Sequence, residues 1–195
     1  MNEPRRIVGT ENAVRVDAQV TGDVVAPGAQ IPVTYEVTNQ RSTAIAIADI
    51  IPATSYDADT HTFTMQIGSE VPGNETLPRL VVIAPGEKRS FSVLARLSSV
   101  FPARAGDPRE QARPAQFRLK VNFLGDTQPF QQLIGIKENA IADRKLADEL
   151  FPLWLERNEA LYTNTVPMQW RGTGAGAVSP VERRRLPPRR GIGGR

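Results

Sequence analysis

Asp57, Asp59 and His61 alternate along one short stretch of this 195-residue chain. An extended backbone carries every second side chain to the same side. The spacing therefore gathers two carboxylates and an imidazole, donors for an oxygen/nitrogen cation site or for an acid–base pair. Little else in the chain completes either device. It contains no Cys and one His, which removes a thiolate nucleophile, a Cys-based zinc site and any two-His ligand set. Ser90, Ser92, Ser98 and Ser99 lie in or beside predicted strands, and none occupies the strand-to-helix elbow of a G-x-S-x-G hydrolase. Gly172-Thr173-Gly174-Ala175-Gly176 has the composition of a phosphate loop. It is followed by Pro180 and arginines rather than by a Lys-Ser/Thr pair opening a helix, so it reads as a linker. The aspartate–histidine stretch accordingly reads as a solvated loop between strands. No cofactor, no metal and no enzymatic activity are expected.

Charge offers a sharper feature. The net charge is +3, and the six Arg and one Glu between Glu182 and Arg195 contribute +5, which leaves −2 for residues 1–181. The basicity belongs to the tail rather than to the body, where a nucleic-acid-binding fold would carry its basic stripe. Guanidinium groups make bidentate contacts to carboxylates and phosphates, and Pro187 and Pro188 limit the entropy lost when such an arm orders. Outside the predicted strands, Trp154, Met168 and Trp170 are large apolar groups of the kind that anchor interfaces. Trp154 reads as packed on a sheet. The expected partner-binding residues are Trp170, Met168, Arg183, Arg184, Arg185, Arg189 and Arg190, with Arg5 and Arg6 of the N-terminal arm.

The elements that must position these groups follow from periodicity. Val14, Val16, Ala18 and Val20 alternate with Arg15, Asp17 and Gln19, the period of a half-buried strand. Ile31, Val33, Tyr35 and Val37 repeat the pattern after a turn at Ala26-Pro27-Gly28. Further strands are predicted over Ala44–Ile51, over Thr62–Ile67, over Leu80–Ile83, around Phe91–Leu97 after a second turn at Ala84-Pro85-Gly86, and through Phe117–Phe123. Seven short strands with turn signals between them and no helical period predict an all-β fold, an antiparallel β-sandwich. After Pro129 the period changes. A helix is expected over Lys137–Phe151, broken at Pro152 and resumed through about Tyr162. The division expected is an N-terminal arm over 1–12, the sandwich over 13–128, a helical segment and extension over 129–170, and an extended Arg/Pro/Gly tail over 171–195.

The run Val25-Ala26-Pro27-Gly28-Ala29-Gln30-Ile31-Pro32-Val33-Thr34-Tyr35-Glu36-Val37-Thr38-Asn39 resembles bacterial immunoglobulin-like domains of the adhesion-related type. The later Ile83-Ala84-Pro85-Gly86-Glu87-Lys88 before Ser90-Phe91-Ser92-Val93 strengthens the likeness, because these domains carry a Pro-Gly turn, an alternating strand ending in Asn and a second Pro-Gly turn. The resemblance covers roughly residues 13–125 and implies an immunoglobulin-like sandwich. It implies no particular activity, since such domains serve as spacers and binding modules.

No apolar run approaches the ~20 residues of a spanning helix, and no charged segment followed by an apolar one succeeds Met1. The chain is therefore expected to be cytoplasmic, peripheral at the inner face of a membrane. The function expected is that of a non-catalytic accessory subunit whose arms clasp protein subunits of a larger, membrane-associated assembly, an energy-converting one among the candidates, aided by attraction of the arginines to an anionic membrane surface. Two rival expectations are a nucleic-acid- or ribosome-associated protein binding through its arginine tail and an exported adhesion or chaperone-like sandwich.

Overall fold

The computed structural model describes residues 5–21, 24–25, 30–57, 59–73, 76–96 and 114–170. Within them the chain forms β1 (Arg5–Glu11), β2 (Val14–Val20), β3 (Val24–Val25), β4 (Gln30–Asn39), β5 (Ile45–Ala48), β6 (Ala53–Asp57), β7 (Thr62–Ile67), β8 (Thr76–Pro78), β9 (Leu80–Ile83), β10 (Lys88–Arg96) and β11 (Pro114–Leu124). There follow a 3-10 turn (Gln128–Leu133), β12 (Ala140–Ala142), a helix α1 (Arg144–Arg157), β13 (Asn158–Tyr162) and β14 (Val166–Trp170). The all-β character read from the alternation is present.

Two sheets face each other, and β8 and β12 form a separate two-stranded ladder; the smaller of the facing sheets is antiparallel in the order β1-β2-β4-β10. Its strict alternation turns Val14, Val16, Ala18 and Val20 of β2 and Ile31, Val33, Tyr35 and Val37 of β4 inward. The larger sheet is mixed and is organised by β11. One edge of β11 pairs with β14 and then β13; the other pairs with β7 and, at Leu124, with β5. From β11, Phe117, Leu119, Val121 and Phe123 meet the inward residues of the smaller sheet in one continuous core, which makes the arrangement sandwich-like. Burying such side chains is the main favourable term, at roughly 1.5–3 kcal/mol each.

A second core lies against Ala46, Ala48, Leu77, Leu80 and Leu124. There α1 buries Leu146, Ala147, Leu150 and Trp154, spaced as one helical face, with Phe130 edge-on to Trp154 at 5.4 Å between ring centroids. Trp154 Nε1 donates to the Ser69 carbonyl at 3.0 Å, which satisfies the one polar atom that its burial would orphan. Among the described residues no helix is long and apolar enough to cross a membrane.

The sandwich is sewn along one side. Val8 N–H donates to Asn164 Oδ1 at 2.7 Å and Asn164 N–H donates to the Val8 carbonyl at 2.9 Å, so an asparagine takes the place of a strand partner. Close approach here requires Gly9, because a Cβ at that position would lie 2.6 Å from the Tyr162 carbonyl oxygen and 2.8 Å from Leu161 Cδ1. Gly68 answers a similar demand beside Asn122, where φ is +70° and a Cβ would meet the Asn122 carbonyl.

Several sequence expectations are corrected. The arm expected over 1–12 contains β1, which pairs with β2 along its whole length. Purely antiparallel pairing gives way to parallel ladders between β7 and β11 and between β14 and β3. The first of these is possible because the chain between β7 and β11 crosses to the smaller sheet as β10 and returns, supplying the long connection parallel strands require. The helix begins at Arg144 rather than Lys137, because Asp143 caps it by accepting from Leu146 N–H at 3.0 Å. It runs through Pro152, whose exposed position leaves the lost hydrogen bond of Asp148 to solvent while Leu150 and Trp154 anchor both sides. It ends at Arg157, and the stretch expected to be helical up to Tyr162 is β13, held by β11. The strand expected over Ala44–Ile51 ends at Ala48, with Ile51 exposed. The stretch before the Asp57 loop is β6. The turn at Ala26-Pro27-Gly28 lies outside the described residues.

Replacing Gly9 by alanine is expected to lower the unfolding free energy by about 1–3 kcal/mol through overpacking of the β1–β13 seam. Urea denaturation measures it, and an unchanged midpoint would refute this account of the seam.

Candidate functional site

Asp57, Asp59 and His61 sit where β6 turns into β7. Asp57 ends β6, and its carboxylate is spent on the turn that follows. It accepts from the Thr60 hydroxyl at 2.8 Å and from the backbone N–H groups of Asp59 and Thr60 at 2.9 and 3.4 Å. These bonds, the Thr60 hydroxyl foremost, hold its carboxyl below the ordinary carboxylate range. His61 adopts a positive φ of 51° and its Nδ1 lies 2.7 Å from the Tyr56 hydroxyl, while the Tyr56 ring stacks on Phe63 at 4.6 Å. The stretch is thus a capped hairpin loop. Among the described residues no group of three or more His, Asp or Glu side chains is placed to hold a metal ion. Ser90 and Ser92 lie across on β10, where Ser92 Oγ is 3.4 Å from Thr34 Oγ1 in the smaller sheet; Ser98 and Ser99 lie outside the described residues.

The expected partner-binding residues separate. Arg6 stands on the outer face of the smaller sheet, mostly exposed, and contacts Asp17 through Nη2 at 2.6 Å and Nε at 3.1 Å. Asp17 also receives Arg15 Nε at 2.7 Å. The Arg15 hydrogen bond, with Arg6 beside it, holds the Asp17 carboxyl at about 2. Arg5 opens β1, and its Nη1 is buried without a hydrogen-bond partner among the described residues. Met168 needs a correction: its side chain is 2% exposed within the inter-sheet core, because alternation along β14 turns Val166 and Met168 inward. It offers no surface to a partner. Trp170 is the last residue of β14 and pairs in parallel register with Val25. Arg183, Arg184, Arg185, Arg189 and Arg190 lie outside the described residues.

Periodicity alone does not single out the outer face of the larger sheet. Arg118 and Lys120 follow each other on the wet side of β11. Arg118 Nε donates to Thr64 Oγ1 at 3.0 Å, and its guanidinium carbon lies 4.7 Å from the centroid of the Tyr162 ring. Lys120 Nζ lies 5.6 Å from the same centroid and forms an ion pair with Glu70. The register brings these groups together, since Arg118 is opposite Thr64 and Lys120 is opposite both Gln66 and Tyr162. Cations held near an aromatic face are attracted by its quadrupole. The alternation of β11 is the signal that could have found the two cations. Tyr162 was hidden because its segment reads as helix.

No protein-family model, curated protein or solved structure matches this chain significantly.

The Asp17 site yields a pH prediction. Its folded carboxyl is depressed from the ordinary 3.8 to about 2, so its stabilisation is complete above the unfolded value and is lost as the pH falls through the folded one. Asp17→Asn is expected to remove about 1 kcal/mol at neutral pH, an amount discounted for solvent reaching the pair, and to flatten the acid limb of stability between pH ~4 and ~2. Chemical denaturation across that range checks it; equal acid limbs for variant and parent would refute the assignment.

Proposed function

We propose that this chain is a non-catalytic accessory subunit, an immunoglobulin-like sandwich that docks on a larger multi-subunit assembly through segments joined to one end of its body, the arginine-rich residues 171–195 foremost. The assembly proposed is membrane-associated and meets the chain at its cytoplasmic face, where an anionic surface favours arginine-rich segments.

One observation carries the reading. β1 begins, β2 ends, β4 begins and β10 ends at the same end of the smaller sheet, through the pairs Arg5–Val20, Val20–Val33 and Arg96–Gln30. From Val20 the chain needs only residues 21–23 to reach β3, which pairs with Gln169 and Trp170 at the end of β14, and Gln169 faces Pro114 at the start of β11. Residues 1–4, 97–113 and 171–195 therefore join the described body at one end. Residues 97–113 contain Arg104, Arg109 and Arg113 against Asp107 and Glu110, a net +1, and residues 171–195 contain seven arginines against one glutamate, a net +6. Arg5 and Arg6 stand at the same end. The most cationic segment of the chain, residues 171–195, thus joins the body at the end where Arg5 and Arg6 stand, which favours a clasp on an anionic partner surface. The opposite end is knit by polar contacts, among them Arg41 with Glu159 at 2.7 Å and Asn12 with Glu159 at 2.8 Å.

The test is an affinity capture in gentle detergent from the native host, with the full chain compared against a version ending at Ser179. A defined set of protein subunits is expected with the full chain and is lost or weakened on truncation. Recovery of nucleic acid alone, stripped steeply by salt, would overturn the proposal in favour of nucleic-acid association through the tail. So would recovery of the same proteins by both versions.

A further inference from the structure

We propose that Arg118 is the centre of a carboxylate-binding site on the outer face of the larger sheet, one that takes an acidic side chain from a partner protein. The site lies on the described body and includes none of the arm residues, so it stands independently of the clasp reading.

Three features build it. First, the guanidinium is fixed. Its Nε is committed to Thr64 Oγ1 at 3.0 Å, Thr64 itself is buried to 7% exposure, and the Tyr162 ring lies 4.7 Å away. A fork held at its Nε and on an aromatic ring has already surrendered much of the rotamer freedom that a mobile surface arginine loses on binding. Second, its remaining donors are open. Among the described residues Arg118 makes no ion pair, and its Nη1 and Nη2 have no hydrogen-bond acceptor. Two parallel N–H groups at that edge match the two oxygens of a carboxylate. Third, the surroundings are polar. Ser55 and Thr64 share a register row with Arg118, and Gln116 and Lys120 flank it on β11.

Local charge separates the candidate ligands. Lys120 is paired with Glu70, and Asp57, held down by the donors of its own turn and in smaller part by the charge of Arg118, keeps its negative charge nearby, so these four groups sum to zero. A single carboxylate matches the open fork of Arg118. A phosphate, carrying close to two negative charges near neutral pH, would be opposed more strongly by Glu70 and Asp57. Tyr162 is 46% exposed, so its rim offers apolar contact for the methylenes of a glutamate.

The experiment titrates the isotopically labelled full chain with a capped peptide of alternating Glu and Ser, and follows the Arg118 Nε–H and Tyr162 ring signals by NMR. Saturable shifts are expected with this peptide and not with its Gln/Ser counterpart. Arg118→Gln is expected to weaken the peptide by about tenfold, the loss of a charge-assisted bidentate pair, while leaving the thermal midpoint of the chain nearly unchanged. Arg118→Lys keeps the charge without the fork and is expected to fall between the two. Equal shifts with the Gln peptide, the absence of any saturable shift, or full binding by Arg118→Lys would overturn the proposal. Tighter binding of inorganic phosphate than of the Glu peptide would overturn the carboxylate assignment in favour of a phosphate site. Because the version ending at Ser179 retains Arg118, binding of the peptide by that version separates this site from any failure of the arms.

Discussion

Two of the crossings between the facing sheets, from β4 to β5 and from β9 to β10, turn on a single buried amide. The chain leaves the smaller sheet after β4 and re-enters it before β10, and Asn39, wholly buried, stands where the two paths meet. Its Nδ2 donates to the carbonyls of Thr43 at 2.8 Å and Ile83 at 3.0 Å, its Oδ1 accepts from Arg41 N–H at 3.0 Å, and its backbone bonds to Glu87 and Gly86. A leucine of similar size would leave two carbonyls unmet at ~1–3 kcal/mol each, and an aspartate would oppose them with oxygens. The second Pro-Gly turn belongs to the same corner, since Gly86 adopts the φ of +74° that lets its N–H reach the Asn39 carbonyl. With this corner set, β5 and β9 pair at one level and β10 enters in register with β4, so the two inner faces meet as one core.

Where one face of a strand is dry and the other wet, the sequence is legible. β2, β4, β7, β10 and β11 could be read directly, because an alternating pattern slipped by one residue would bury Asp17 or Arg118 and expose Val16 or Leu119. The unread elements are those whose local signal points elsewhere. Asn158-Glu159-Ala160-Leu161-Tyr162 has helix-forming residues and follows a helix directly, yet the free edge of β11 claims it. Tertiary pairing overrides weak propensity here. β1 contains two arginines and a glycine, and its strand character comes from β2 beside it and Asn164 beyond. Parallel pairing of β7 with β11 is a property of the connection between them, which no local pattern encodes.

The same division governs the surface chemistry. Asp57 and His61 were conspicuous by type, and the structure spends them on a turn and on Tyr56. Met168 was conspicuous by size, and alternation along β14 takes it inside. Arg118 was ordinary by every sequence measure. Its distinction arises from Thr64, fifty-four residues earlier, and from Tyr162, brought alongside only because β13 is a strand. A site assembled across three strands of a mixed sheet leaves no spacing in the sequence to be recognised.

The position of β11 also orders events during synthesis. All four strands of the smaller sheet have been made once the ribosome has passed residue 96, whereas the seam at Asn164 and the flank formed by β13 and β14 close only after residue 164 has emerged. At typical elongation rates that interval is on the order of ten seconds. Throughout it the inner face of the finished sheet, with Val16, Val33 and Tyr35, lacks its complete cover. The nascent chain thus carries an open hydrophobic half-core for a time long compared with molecular diffusion, until its own C-terminal strands complete the cover.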